Sequence, residues 1–173
     1  GTARDVGISR KNRDALDAIG KNVVTEQPVQ VCEGLWCTGT VPRITDFEDT
    51  GGAFFTDHQC RNPDDLVDDQ AAFIDTSEGV VVILGCAHAG MINTLRYVKD
   101  LLPGRPIHTV IGGTHLATAD ASRMRKTTEA LRDLEVKRLF PLHCTGFPAA
   151  AQLWKELPER VLFSPVGTSL EFK

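Results

Sequence analysis

The stretch Val80-Val-Val-Ile-Leu-Gly-Cys-Ala-His-Ala-Gly90 decides how this chain is read. Five apolar residues make a short buried-strand pattern, Gly85 ends it, and a histidine follows within four positions. The same grammar returns in Val110-Ile-Gly-Gly-Thr-His115 and in Leu139-Phe-Pro-Leu-His143. In open α/β sheets the carboxyl ends of the strands form the ligand-binding edge. If these three strands are parallel neighbours, His88, His115 and His143 meet on that edge. Small residues surround each of them: Gly85 and Gly90, Gly112 and Gly113, and Gly146. Glycine permits the tight turns and close backbone approach that a site needs. Imidazole suits zinc, iron, nickel and copper, and three histidines with an open position form a known catalytic zinc arrangement.

Outward from these strands the pattern is α/β. Residues 71–75 and 80–85 read as a hairpin around Thr76-Ser-Glu-Gly79. Apolar positions Met91, Ile92, Leu95, Val98 and Leu102 share one face of a helix that Pro103-Gly104 stops. A strand is predicted over 107–111, a helix over 122–134, a strand over 136–142, and a helix over 147–157 with Pro148 in its first turn. Residues 161–163 and 168–172 read as terminal strands. Strands alternating with helices predict layered α/β structure over 71–173. Residues 1–70 are irregular. They hold one short helix over 9–18, capped by Ser9 and stopped by Gly20, and one strand over 29–32.

Composition excludes several classes. The 173 residues carry 42% apolar and 24% charged side chains, which is ordinary globular usage and neither disordered nor fibrous. No run approaches the ~20 apolar residues of a membrane span, and no basic-then-apolar leader is visible. With 19 basic and 23 acidic residues the net charge is -4, a poor balance for holding nucleic-acid backbones. Five cysteines without scaffold spacing suit free thiols in a reducing compartment, so the expected location is cytoplasmic.

Other chemistries find less support. There is no Gly-x-Ser-x-Gly elbow, no Walker A loop and no Gly-x-Gly-x-x-Gly. Cys86 and Cys144 neighbour the histidines, so a nucleophilic thiol is open. The simpler reading of both is burial as small apolar residues. In an extended segment His143 and Cys144 would also point to opposite sides. His58 in a loop and His108 at a strand start read as structural or solvated. Asp68-Asp69 is either a carboxylate pair near a metal or a polar loop end. Arg43, in Thr38-Gly-Thr-Val-Pro-Arg43, could hold an anionic substrate by bidentate contacts; the plainer reading is a solvated loop charge.

Taken together, Gly85-Cys-Ala-His-Ala-Gly90, Asn93-Thr-Leu95, Ile111-Gly-Gly-Thr-His-Leu116 and His143-Cys-Thr-Gly146 resemble the second half of metallo-β-lactamase-fold proteins. Thr38–Arg43, Phe47-Glu48 and Asp68-Asp-Gln-Ala71 resemble one branch, the dihydropterin–aminobenzene-ribofuranosyl phosphate synthases and related metal-dependent hydrolases. The resemblance implies an αββα sandwich, of which residues 1–173 would supply mainly the C-terminal half as a single partial domain. It implies that His88, His143 and His115 are metal ligands, for zinc or for another divalent transition metal such as manganese or iron. Arg43 would contact the phosphate of a small-molecule substrate. The family's His-x-His-x-Asp-His motif has no counterpart here. The metal is therefore expected to be partial or absent in this chain, and catalysis alone is an open question. The alternative is a non-catalytic half-domain.

Assembly follows from the same reasoning. Strands this apolar are usually buried on both faces. The helices can cover one face, and the resemblance puts the other against a second sheet. At ~25 cal/mol per Å² of apolar area, covering that face is worth more than about ten kcal/mol. The expectation is a homo-oligomer or a complex with the missing N-terminal half, unless residues 27–70 fold back over the sheet.

Overall fold

The computed structural model describes residues 4–173; the first three residues of the expected 1–70 segment lie outside them. Helix α1 spans Arg10–Ile19, and strands β1 and β2 span Val29–Cys32 and Leu35–Cys37. After a long loop come β3 (Ala71–Thr76), β4 (Gly79–Leu84), α2 (Met91–Leu101), β5 (Ile107–Gly112), α3 (Ala121–Asp133) and β6 (Arg138–Pro141). A 3₁₀ turn over His143–Thr145 leads into α4 (Phe147–Glu156). The fold class is mixed α/β, as expected. The six strands form one sheet in chain order, β1-β2-β3-β4-β5-β6. β1 to β4 pair antiparallel, and β4, β5 and β6 pair parallel. Parallel neighbours need long crossovers, and α2 and α3 supply them.

Register assigns the faces. Val82 pairs with Phe73 and Val110, and Val110 with Leu139. These residues point to the helix side. There they form one core with Met91, Leu95 and Val98 of α2, Met124 and Leu131 of α3, and Leu153 of α4. The opposite face carries Leu35, Ile74, Val81, Ile83, Ile111 and Phe140, which are cross-strand neighbours in the register. Part of it lies under the C-terminal segment. There the Phe172 ring meets His108 edge-on at 6.1 Å, and Ser77 donates from its backbone N–H to the Lys173 carbonyl at 2.8 Å. Towards β2 and β3 this face is half-buried, and Ile83 is 39% exposed. Residues 27–70 do not fold back over it. They extend the sheet edge as β1 and β2, then run across the N-terminal ends of α2 and α3.

Three local expectations need correction. β2 has no counterpart in the sequence reading, because three residues are too few to show a period. The expected strand over 161–163 reduces to a single parallel bridge, Val161 to Leu139. The expected strand over 168–172 is irregular. Pro165 and Gly167 (φ +93°) fold a turn, closed by the Thr168 N–H on the Pro165 carbonyl, just where that strand would start. Among the described residues no helix is long and apolar enough to cross a membrane.

Candidate metal-binding site

Three loops leave the carboxyl ends of β4, β5 and β6 and carry His88, His115 and His143. The loop after β4 is held from outside its own element. Asp69 accepts the Ala89 N–H at 2.9 Å. Gly90, at the N-cap of α2, has no side chain to offer, and Glu48 caps the helix instead. Its carboxylate accepts the Ile92 and Asn93 N–H groups at 2.8 Å each and the Thr45 hydroxyl at 3.1 Å. Asn93 completes the clamp by accepting the Ile44 and Thr45 N–H groups. Burial pushes the Glu48 carboxyl above its ordinary value, and these donors pull it part of the way back.

The histidines converge. The rings of His88 and His115 lie 4.1 Å apart, centroid to centroid. His88 Nδ1 sits 2.7 Å from the Thr50 carbonyl. A carbonyl only accepts, so Nδ1 carries the proton and Nε2 keeps its lone pair for an ion or a substrate. His115 has a φ of +46°, a left-handed backbone that non-glycine residues seldom adopt. Burial lowers its pKa, and the neighbouring His88 adds to the effect. His143 is exposed, and its Nε2 lies 3.1 Å from Cys86 Sγ.

The thiols differ from the simpler sequence reading. Cys86 and Cys144 are half-buried, and both line the site. Cys144 is not across the strand from His143, because residues 143–145 form a 3₁₀ turn rather than extended chain. A Cβ built on Gly113 would collide with both Cys144 Sγ and the His143 ring, so both side chains close over that glycine. Among the described residues one trio places its donor atoms within 4.8 Å of one another: Cys86, His115 and Cys144. Burial pushes the Cys86 thiol up to about 11, helped by the adjacent Cys144 and by Asp69. Donor pairs around a tetrahedral ion with ~2.0–2.3 Å bonds lie about 3.5 Å apart, so small rotations bring this trio to bonding range. The mixed nitrogen and sulphur donors therefore fit a borderline-soft ion such as zinc.

Other expected residues fall around this centre. Among the described residues Asp68 makes no hydrogen bond to the histidine loops, whereas Asp69 braces one of them through the Ala89 N–H. Arg43 is exposed and spends one guanidinium nitrogen on the Asp65 carbonyl. Arg123 went unnoticed in the sequence. It is 6% exposed, pairs with Asp49, and lies close enough to His115 to act on its charge. With Asp46, Phe47, Ser122 and Lys126 it lines a cleft of about 370 Å³. The N-cap signal of Asp120, three residues before Arg123, could have marked it.

No family model matches the chain. Over 144 residues it is 28% identical to the 7,8-dihydropterin-6-methyl-4-(beta-D-ribofuranosyl)-aminobenzene-5'-phosphate synthase of Methanocaldococcus jannaschii, covering 81% of this chain and 49% of that one. Over 154 residues it is 27% identical to an uncharacterized protein of the same organism, covering 87% and 55%. Its backbone matches a solved metal-dependent hydrolase of the β-lactamase superfamily with a TM-score of 0.75 at 28% identity, over 87% of this chain and 58% of that chain. The chain has the metallo-β-lactamase-superfamily fold. It spans about half the length of the curated relatives it matches. Within the metallo-β-lactamase layering, the described residues make one sheet with helices α2, α3 and α4 on one of its faces.

Proposed function

We propose that this chain is the C-terminal part of a metal-dependent hydrolase or transferase acting on a small molecule that bears phosphate or diphosphate, pterin-like in its organic part. The observation that carries the reading is the meeting of three histidine loops at the carboxyl edge of three parallel strands. His88, His115 and His143 are its ion-holding residues. A bound zinc, manganese or iron ion would supply Lewis-acid stabilisation of phosphoryl oxygens and a water of lowered pKa. The protein's own part is orientation. Thr50 fixes the His88 tautomer, and Asp69 and Glu48 hold the loop that carries it. Arg43 keeps its remaining guanidinium donors for a phosphate. The His-x-His-x-Asp-His ligands have no counterpart in this sequence, so this chain alone holds the ion partially or not at all. A reducing compartment such as the cytoplasm suits the five unbridged cysteines.

The test is hydrolysis of a generic aryl phosphodiester by the purified protein, with and without chelator. The expected outcome is turnover that chelation removes, that added zinc or manganese restores, and that His88→Ala or His143→Ala abolishes. Turnover untouched by chelation and by both substitutions would sink the reading.

A second reading is favoured by the half-open sheet face around Ile83 and Ile74. There the chain is a partial domain whose main role is to pack with a partner, either a second copy or the complementary half. Metal-dependent turnover that appears only after the complementary half is added would unite the two readings.

A further inference from the structure

The three-histidine set and the trio of close donor atoms are not the same residues. They share His115. The nitrogen set adds His88 and His143, which flank the centre, while the trio adds the two thiols. Cys86 sits at the end of β4 and Cys144 in the 3₁₀ turn after β6, on opposite sides of the His115 loop. Both sulphurs turn inward from separate elements. Cys144 Sγ also lies 3.7 Å from the Cys86 carbonyl, which keeps it at the site. His143 Nε2, 3.1 Å from Cys86 Sγ, stands ready as a fourth donor.

We infer that this chain holds a soft or borderline divalent ion through the thiolates of Cys86 and Cys144 together with the His115 imidazole, so that sulphur belongs to the first coordination sphere. Two cysteines and a histidine with an open fourth position form a donor set that suits zinc and its substitute cobalt, and that hard oxygen-seeking ions such as magnesium do not match. Each thiol releases its proton to solvent as the ion binds, and no oxidant or reductant is required. The other three cysteines serve as internal controls. Cys32 and Cys60 are exposed, and Cys37 is engaged with Gln70 at 2.7 Å. The inference rests on the metal-dependent reading above but makes a separate claim about which atoms bind.

Cobalt(II) added to the chelator-stripped full chain provides the probe. The expected result is a near-ultraviolet sulphur-to-cobalt charge-transfer band that zinc bleaches and magnesium does not. Cys86→Ser and Cys144→Ser should each weaken the band, and the double variant should lose it, while Cys32→Ser and Cys60→Ser retain it. Circular dichroism of each variant separates loss of ligands from loss of fold. An independent readout on the unmutated protein is alkylation mapped by mass spectrometry. Zinc should protect Cys86 and Cys144 and leave Cys32 and Cys60 as reactive as before. Cobalt bound without a charge-transfer band, or zinc bound without protection of the two thiols, would overturn the inference while leaving the metal-dependent function standing. No binding by equilibrium dialysis would overturn it as well, and the phosphodiester assay would then judge the function by itself.

Discussion

Glu48 shows how one side chain can organise a site it does not touch. It caps α2 from another part of the chain, and a Cβ on Gly90 would collide with its carboxylate. Replacing it by alanine strands two helix N–H groups, and Glu48→Ala is expected to cost about 2 kcal/mol, measured by urea unfolding. Its titration gives a second expectation. The folded pKa is raised above the ordinary 4.5, with burial as the main cause. A raised value means that the folded state binds the proton more tightly than the unfolded state does. The stability from this group is therefore full below 4.5 and declines as pH rises through the folded value. Glu48→Gln removes that decline. Unfolding midpoints of the two proteins, followed from acid towards neutral pH, should diverge in favour of the glutamine variant. Parallel curves would refute this. Little of the clamp was legible beforehand. Glu48 and Asp69 were visible as acidic loop residues, but their partners lie 44 and 20 residues away, and no local pattern encodes such distances.

The elements were legible wherever a period could establish itself. α2 shows its core stripe in Met91, Leu95 and Val98, and all three are fully buried. Each parallel strand was marked by its apolar run. Leu95→Ala, at the centre of that stripe, should destabilise by about 3 kcal/mol, because the sheet beneath it cannot collapse into the void. A loss under 1 kcal/mol in thermal or urea unfolding would mean the core relaxes more freely than its packing suggests. Where the elements were misread, the cause was length or context. Three-residue β2 is held by pairing with β3 rather than by its own pattern. The turn at His143–Thr145 brings Cys144 to the site because the chain tightens before α4, and the sequence carries no sign of that except Gly146, whose φ is +73°.

At the scale of the whole molecule the question is what the second sheet face meets. The C-terminal segment shelters its β5 side, and the side around Ile74 and Ile83 is left half-open. We expect the isolated chain to sediment as more than a monomer, with Ile83→Asp shifting it to smaller species without loss of helix or strand signal. A wild-type chain that stays monomeric at micromolar concentration would remove the expectation. The apolar strands and the family resemblance carried the expectation of a cover. The segment over part of that face was read as a strand over 168–172, but the turn at Pro165–Gly167 leaves it irregular.

The sequential strand order also bears on how the chain is born. Among the described residues each strand after β1 pairs with the one made just before it, so none of them waits for a later segment still inside the ribosome. The β3–β4 hairpin needs only a two-residue connection and can form as it emerges, and each later helix–strand unit adds beside it. The three histidine loops then close in order of synthesis, with His143 last. An arrested nascent chain ending before β6 should already protect its β3–β4 amides from exchange while the candidate metal site still lacks its β6 loop.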